Sequence, residues 1–273
     1  MTELKTWREN DTDSNGEART IFKKERILEF SSCDMDGKMH IAELLALTSN
    51  LAVEDFEDRD LSYKFLYSKG FALLLSRISY KVIKMPNEAE ELILSTWEEK
   101  SQGLQMVRKF AINDRATSEE LILGTTMWLN VDPNARRILP PTKFDLRPVP
   151  QNTSELRTLE PGKIKISENA KIVQKRLMNF SDCDPNGHVN NSRYGAFALD
   201  ALLNDSEIRN KIEGKSITDF RLNYAKEAHA FDTLSIFAEI TEHENGKVIA
   251  TVCGKNDSSE NNEVSFECEM YLR

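Results

Sequence analysis

Residues 182–194 read DCDPNGHVNNSRY, which places a carboxylate at Asp184, an amide at Asn186 and an imidazole at His188 on alternate positions of one turn. An amide donor, an imidazole and the backbone N–H groups of a following helix can converge on a carbonyl oxygen and stabilise it as it becomes an oxyanion. Asp184 can orient the imidazole or the amide, or cap the helix. That makes the segment a candidate catalytic turn. A capped turn carrying one of the chain's four histidines (His40, His188, His229, His243) on the surface is the plainer alternative.

The same turn begins like a calcium loop, with Asp182, Asp184, Asn186 and Gly187 in order. The twelfth position should hold a bidentate acid and holds Arg193 instead, so this copy fails. A second count, from Ser32, gives Asp34, Asp36, Gly37 and Glu43. Its first ligand is a serine and its surroundings are β-rich. A non-catalytic calcium-binding module is therefore kept only as a remote alternative, and no metal site is expected.

Those two counts coincide because the chain is duplicated. At an offset of 150, Phe30, Ser31, Cys33, Asp34, Gly37 and Ala46 match Phe180, Ser181, Cys183, Asp184, Gly187 and Ala196. Further on the offset shortens: Tyr80 matches Tyr224, Gly103 matches Gly246, Asn113-Asp114 match Asn256-Asp257, and Met127 matches Met270. Repeats of about 100–110 residues are the size of a domain. The early copy has Asp36 and Lys38 where the later has Asn186 and His188, which implies one working site and one retired one.

Each copy runs in the same order: a short strand, the Gly turn, a helix, then several strand-like stretches. The later helix is expected over about 189–204, with Tyr194, Phe197, Ala198, Ala201 and Leu202 on one face. HENGK at 243–247 carries the Asn-Gly signal of a tight hairpin. One helix followed by antiparallel strands gives an α+β unit, a sheet curled around a central helix. Six of the eight prolines fall between 133 and 161 and mark an extended connector. The expected divisions are a flexible lead-in over 1–21, an N-terminal domain over 22–132, a basic linker over 133–170 and a C-terminal domain over 171–273.

Composition narrows the function classes. With 40% hydrophobic and 30% charged residues, the chain reads as soluble and globular, with no run of the roughly 18 apolar residues a spanning helix needs. A net charge of −9 argues against nucleic acid as a partner. Ten basic and four acidic residues lie between 133 and 176, so this segment can attract an acidic partner or be a solvated linker. Four cysteines with no CxxC imply a reducing, cytoplasmic setting and buried thiols.

The run DCDPNGHVNNSRY resembles the D-x-N-x-H-V-N-N-x-x-Y motif of the acyl-acyl carrier protein thioesterases, through Asp184, Asn186, His188, Val189, Asn190, Asn191 and Tyr194. NYAKEAHAFDTL is similar to the family's strand bearing a further functional acid, which falls on Glu227; GTTMWLNVDPNARRILPP resembles the close of the family's first repeat. Plant members carry a Cys after the acid, where this chain has Ala228, and no plastid-targeting sequence is seen, which favours a bacterial-type member. The resemblance implies two tandem hotdog domains, each an antiparallel sheet wrapped around a long helix. It implies hydrolysis of fatty acyl-acyl carrier protein, releasing free fatty acid and ending chain elongation, with acyl-CoA as the rival substrate.

On that reading Asp184, Asn186, His188 and Glu227 are catalytic, and Val189, Asn190, Asn191 and Tyr194 bind substrate. Either Glu227 or Asp184 activates the water, and no Ser or Cys stands as a nucleophile beside His188. The partner is an acyl carrier protein bearing its acyl-phosphopantetheine arm. Arg136, Arg137, Lys143 and Arg147 are its candidate docking residues. No cofactor and no membrane are implied, and a monomer and a homodimer both remain open. The idle first domain is expected to house the acyl chain, with Leu44, Leu45, Leu47, Phe71, Leu73 and Leu75 as candidates.

Overall fold

A computed structural model describes residues 4–273. Two compact units emerge: one comprises the residues up to Met39 with Ala46–Glu160, the other His40–Leu45 with Pro161–Arg273. Among the described residues, no helix is long and apolar enough to cross a membrane.

The first unit opens with a hairpin of β1 (Thr6–Thr12) and β2 (Ala18–Ile27). Helices α1 (Ile41–Glu57, its Ile41–Leu45 grouped with the other unit) and α2 (Tyr63–Ser68) follow. Next come β3 (Ala72–Val82), β4 (Glu91–Gln102), β5 (Gln105–Asp114), β6 (Glu120–Asp132) and the short β7 (Arg137–Leu139). The strands are antiparallel in the order β1-β2-β4-β5-β6-β3, with β7 also on β6.

The second unit contains β8 (Lys171–Leu177), α3 (Arg193–Asn204), α4 (Ser206–Ile212), β9 (Ile217–Tyr224), β10 (Thr233–Glu242), β11 (Val248–Asn256) and β12 (Val264–Leu272). Its antiparallel order, β8-β10-β11-β12-β9, repeats that of the first unit once β1 is set aside. The repeat-matched residues take matching places. Gly103 (φ +58°) turns β4 into β5 as Gly246 (φ +77°) turns β10 into β11, and Tyr80 on β3 corresponds to Tyr224 on β9.

Helix α3 buries Tyr194, Gly195, Phe197, Ala198, Ala201 and Leu202, one stripe at helical spacing, and lies against β8, β10, β11 and β12. Beneath it, Gly254 leaves room for the Phe266 ring: a Cβ there would sit 2.2 Å from a ring carbon. The first unit's core gathers Phe56, Leu61, Leu66, Met106 and Phe144.

Three expectations need correction. The lead-in is not flexible where it is described. Residues 6–12 pair with β2 through cross-strand couples such as Lys23–Glu9 and Arg19–Asp11, and Asp13 accepts the N–H groups of Asn15 and Glu17 to close the turn. Residues 1–3 lie outside the described residues. The stretch 133–170 is no loose connector either, since Phe144 is fully buried against Phe56 and Phe71, and Asn152 donates to the Glu98 carbonyl. Helix α3 starts at Arg193 rather than 189, because the Asn190 side chain takes the Ser192 N–H and its carbonyl takes the Arg193 N–H, closing a turn there first. Helices α2 and α4, capped by Ser62 and Asp205, had no counterpart in the sequence reading.

Candidate active site

The turn carrying Asn186 and His188 builds itself from local hydrogen bonds. Asp184, Pro185, Asn186 and Gly187 close a tight turn in which Gly187 N–H donates to the Asp184 carbonyl at 2.9 Å and Asp184 Oδ1 accepts the Asn186 N–H at 2.8 Å. Pro at the second position and Gly at the fourth suit such a turn, and Gly187 takes φ +82°. The first unit repeats it bond for bond: Gly37 N–H to the Asp34 carbonyl at 3.0 Å and Asp36 N–H to Asp34 Oδ1 at 2.9 Å. The same frame therefore exists without the amide and the imidazole. This also accounts for the Asp34 carboxylate, which receives backbone N–H groups and joins no metal-ligand cluster among the described residues.

Two anchors fix the turn to its unit. Asp182 is buried and accepts the Asn179 N–H at 2.9 Å and the Arg193 guanidinium at 3.0 Å, which ties the turn to the start of α3. Burial alone would raise the Asp182 carboxyl, but those two donors outweigh it and hold it below the ordinary carboxylate range. On the other side Val189 N–H donates to the Ala228 carbonyl at 2.8 Å, and His188 pairs with His229 in an antiparallel bridge. This strap brings the loop after β9 alongside the turn. His188 Nε2 then lies 3.4 Å from Glu227 Oε2, both partly open to solvent.

Not all the expected site residues share that opening. Asn186 is exposed on the turn beside His188. Val189 and Tyr194 are each 3% exposed and act as packing: the Tyr194 ring stacks among Phe197, Tyr224 and Phe266. Asn190 caps the approach to α3, and the Asn191 carbonyl accepts the Tyr224 hydroxyl at 3.0 Å. Burial raises the Cys183 thiol and the nearby Asp182, Asp184 and Asp232 add to the rise, so it stays protonated and no nucleophilic thiolate stands here. His229 and Asp232 were missed. The signal for His229 was its spacing two residues from Glu227, which puts both on one side of an extended segment.

Of the basic candidates, Arg136, Arg137 and Lys143 are exposed. Arg147 is turned inward onto Glu98 at 2.6 Å. Within the first unit an apolar cleft of ≈ 100 Å³ is lined by Phe56, Leu61, Leu66, Phe71, Leu73 and Trp128, so two of the six acyl-chain candidates face it.

The sequence models of the acyl-ACP thioesterase N-terminal domain and C-terminal domain match residues 19–143 and 166–268. The chain belongs to the acyl-ACP thioesterase family. Among curated relatives it is 25% identical over 182 residues to a chloroplastic palmitoyl-acyl carrier protein thioesterase of Arabidopsis thaliana, covering 64% of this chain and 43% of that one. It is 23% identical over 184 residues to an acyl-[acyl-carrier-protein] hydrolase of Cuphea viscosissima, covering 63% and 42%. The chain thus spans under half the length of these relatives. The fold of an acyl-ACP thioesterase from Bacteroides thetaiotaomicron superposes with a TM-score of 0.76 at 23% identity, over 93% of this chain and 98% of that one. The 12:0-ACP thioesterase from Umbellularia californica gives 0.78 at 16% identity, over 93% and 94%. The thioesterase C-terminal domain match contains the whole turn and the Glu227 loop.

Proposed function

We propose that this acyl-ACP thioesterase family member hydrolyses fatty acyl-acyl carrier protein to free fatty acid, using Asn186, His188 and Glu227. The observation that carries the reading is the pairing of His188 Nε2 with Glu227 Oε2 at 3.4 Å, both partly open to solvent, on the strap next to the turn that carries the exposed Asn186. In this reading the thioester carbonyl is polarised by the Asn186 amide, and Glu227 takes a proton from a water oriented with His188. The water oxygen bonds to the carbonyl carbon, the tetrahedral adduct collapses, and the carbon–sulfur bond breaks. The proton held by Glu227 passes to the departing phosphopantetheine sulfur. Asp184 is a positioning residue here, because its Oδ1 already serves the turn.

The two units, with their common strand order, fit tandem hotdog domains with α1 and α3 as the helices the sheets wrap. The first houses the acyl chain in the cleft at Phe71 and Leu73. The acyl carrier protein is the partner, met by the exposed Arg136, Arg137 and Lys143. Four free cysteines fit a reducing cytoplasm.

The test is a panel of acyl-carrier substrates with matched acyl-CoA, scored for free fatty acid. Carrier substrates are expected to turn over faster. Asn186→Ala and His188→Ala are each expected to lower kcat/KM by about 10²–10⁴ with unchanged melting temperature. Near-normal activity in both would sink the assignment.

A further inference from the structure

We propose that His188, Glu227 and His229 together form a binding site for a zinc-class divalent cation, and that the bound ion shuts the hydrolytic site. Two imidazoles and one carboxylate are a borderline donor set that suits zinc or cobalt; calcium and magnesium prefer all-oxygen sites. One ligand atom from each of the three residues lies within 4.8 Å of the other two. Donor atoms on a tetrahedral ion with bonds of about 2.1 Å stand about 3.4 Å apart. His188 Nε2 and Glu227 Oε2 are already at 3.4 Å. The remaining gap, under 4.8 Å, is closed by a small adjustment of His229, whose side chain is 57% exposed.

The backing of His229 is the second observation. Its Nδ1 lies 3.8 Å from Asp232 Oδ2, a charge contact longer than a hydrogen bond, which favours Nε2 as the atom offered to an ion. Asp232 Oδ2 is itself fixed by the His229 N–H at 2.9 Å and by Asn256 Nδ2 at 2.7 Å. A carboxylate behind a histidine is the usual outer arrangement of a zinc ligand, and here it would close to a hydrogen bond as the ion is taken up. The two rings meet edge to face with centroids 5.1 Å apart, held by the backbone bridge between His188 and His229, so the ligands are gathered before an ion arrives.

Coordination would occupy His188 Nε2 and the Glu227 carboxylate, the groups the hydrolytic reading assigns to the water, so inhibition rests on that reading while binding does not. The experiment uses full-length, tag-free protein stripped with chelator and titrated with Co²⁺, then Zn²⁺, without substrate. One equivalent of Co²⁺ is expected to bind with the intense visible absorption of a low-coordinate site and to be displaced by Zn²⁺. His229→Ala is expected to weaken Zn²⁺ binding at least about tenfold, the cost of losing even an outer partner. His40→Ala is expected to bind as wild type does. Wild-type hydrolysis is expected to fall on adding Zn²⁺ and to return with chelator. An enzyme inactive without any metal would overturn the catalytic reading and leave the binding result standing. Absence of saturable binding, or equal affinity in wild type and His229→Ala, overturns the proposed site.

Discussion

Asp184 Oδ1 accepts the Asn186 N–H at 2.8 Å, and Asp34 does the same for Asp36 in the repeat that lacks the amide and imidazole. Glu227 has no such structural duty and faces His188. Its counterpart by the repeat offset is Ile83, an exposed apolar residue with no base chemistry. The prediction separates the two carboxylates. Glu227→Gln should lower kcat by about 10²–10⁴ without moving the melting temperature. Asp184→Asn keeps an oxygen for the Asn186 N–H and should retain most activity. Kinetics and thermal melts on both variants check this, and a matching loss in Asp184→Asn would make Asp184 the base. Asn186 and His188 were legible because they alternate along one turn and differ from Asp36 and Lys38. Tyr194 was read both as part of the buried helix face and as a substrate contact, and the structure buries it with that face; the inward packing of Val189 was not legible, since a short motif shows which residues stand together and not which way they face.

At the scale of elements, the stretch after β7 is held in part by one ring and one ion network. Phe144 is fully buried, edge-on to Phe56 and Phe71, and Arg147 lies 5.2 Å over its ring while bonding Glu98. Phe144→Ala should cost about 3–5 kcal/mol, read as a lowered denaturation midpoint. Proline density made the absence of helix legible here, but isolated apolar anchors such as Phe144 and Ile164 leave no periodicity to find. Burial alone would raise the Glu98 carboxyl, yet Arg108, Arg147 and Arg59 outweigh it and hold it below its ordinary 4.5. A depressed carboxyl stabilises the fold above the unfolded value and loses that contribution as pH falls through the folded one. Wild-type stability should therefore decline below about pH 4.5. Glu98→Gln should be less stable at neutral pH, by up to about 3–5 kcal/mol from stranding buried guanidinium charge, and flatter across the acid window. Urea melts from pH 3 to pH 7 would show it.

For the whole molecule, duplication was the most legible property, because matched glycines, tyrosines and Asn-Asp pairs at nearly constant offset reappear at matching strand ends and turns. Charge was less so. The excess of basic residues between 133 and 176 looked like one docking segment, but several of its charges are already paired: Arg147 with Glu98, Arg157 with Glu120, Lys175 with Asp257 and Arg176 with Asp200. Of the proposed docking residues, Arg136 and Lys143 are exposed, and Arg137 is exposed although its guanidinium lies 3.9 Å from Asp132. Screening shortens from about 30 Å at 0.01 M salt to about 8 Å at 0.15 M, so this attraction weakens over that range while chemistry at the turn does not. Added salt should accordingly raise KM for an acyl-carrier substrate more than for the same acyl group on a short pantetheine thioester. Arg136→Ala with Arg137→Ala should shrink that difference at low salt and leave the small substrate alone. Arg147→Ala should act differently, lowering the melting temperature rather than the salt response, because its charge is spent inside the fold. Equal salt dependence for both substrates would return the segment to a connector, and the carrier would then have to be recognised through its acyl chain and thioester alone.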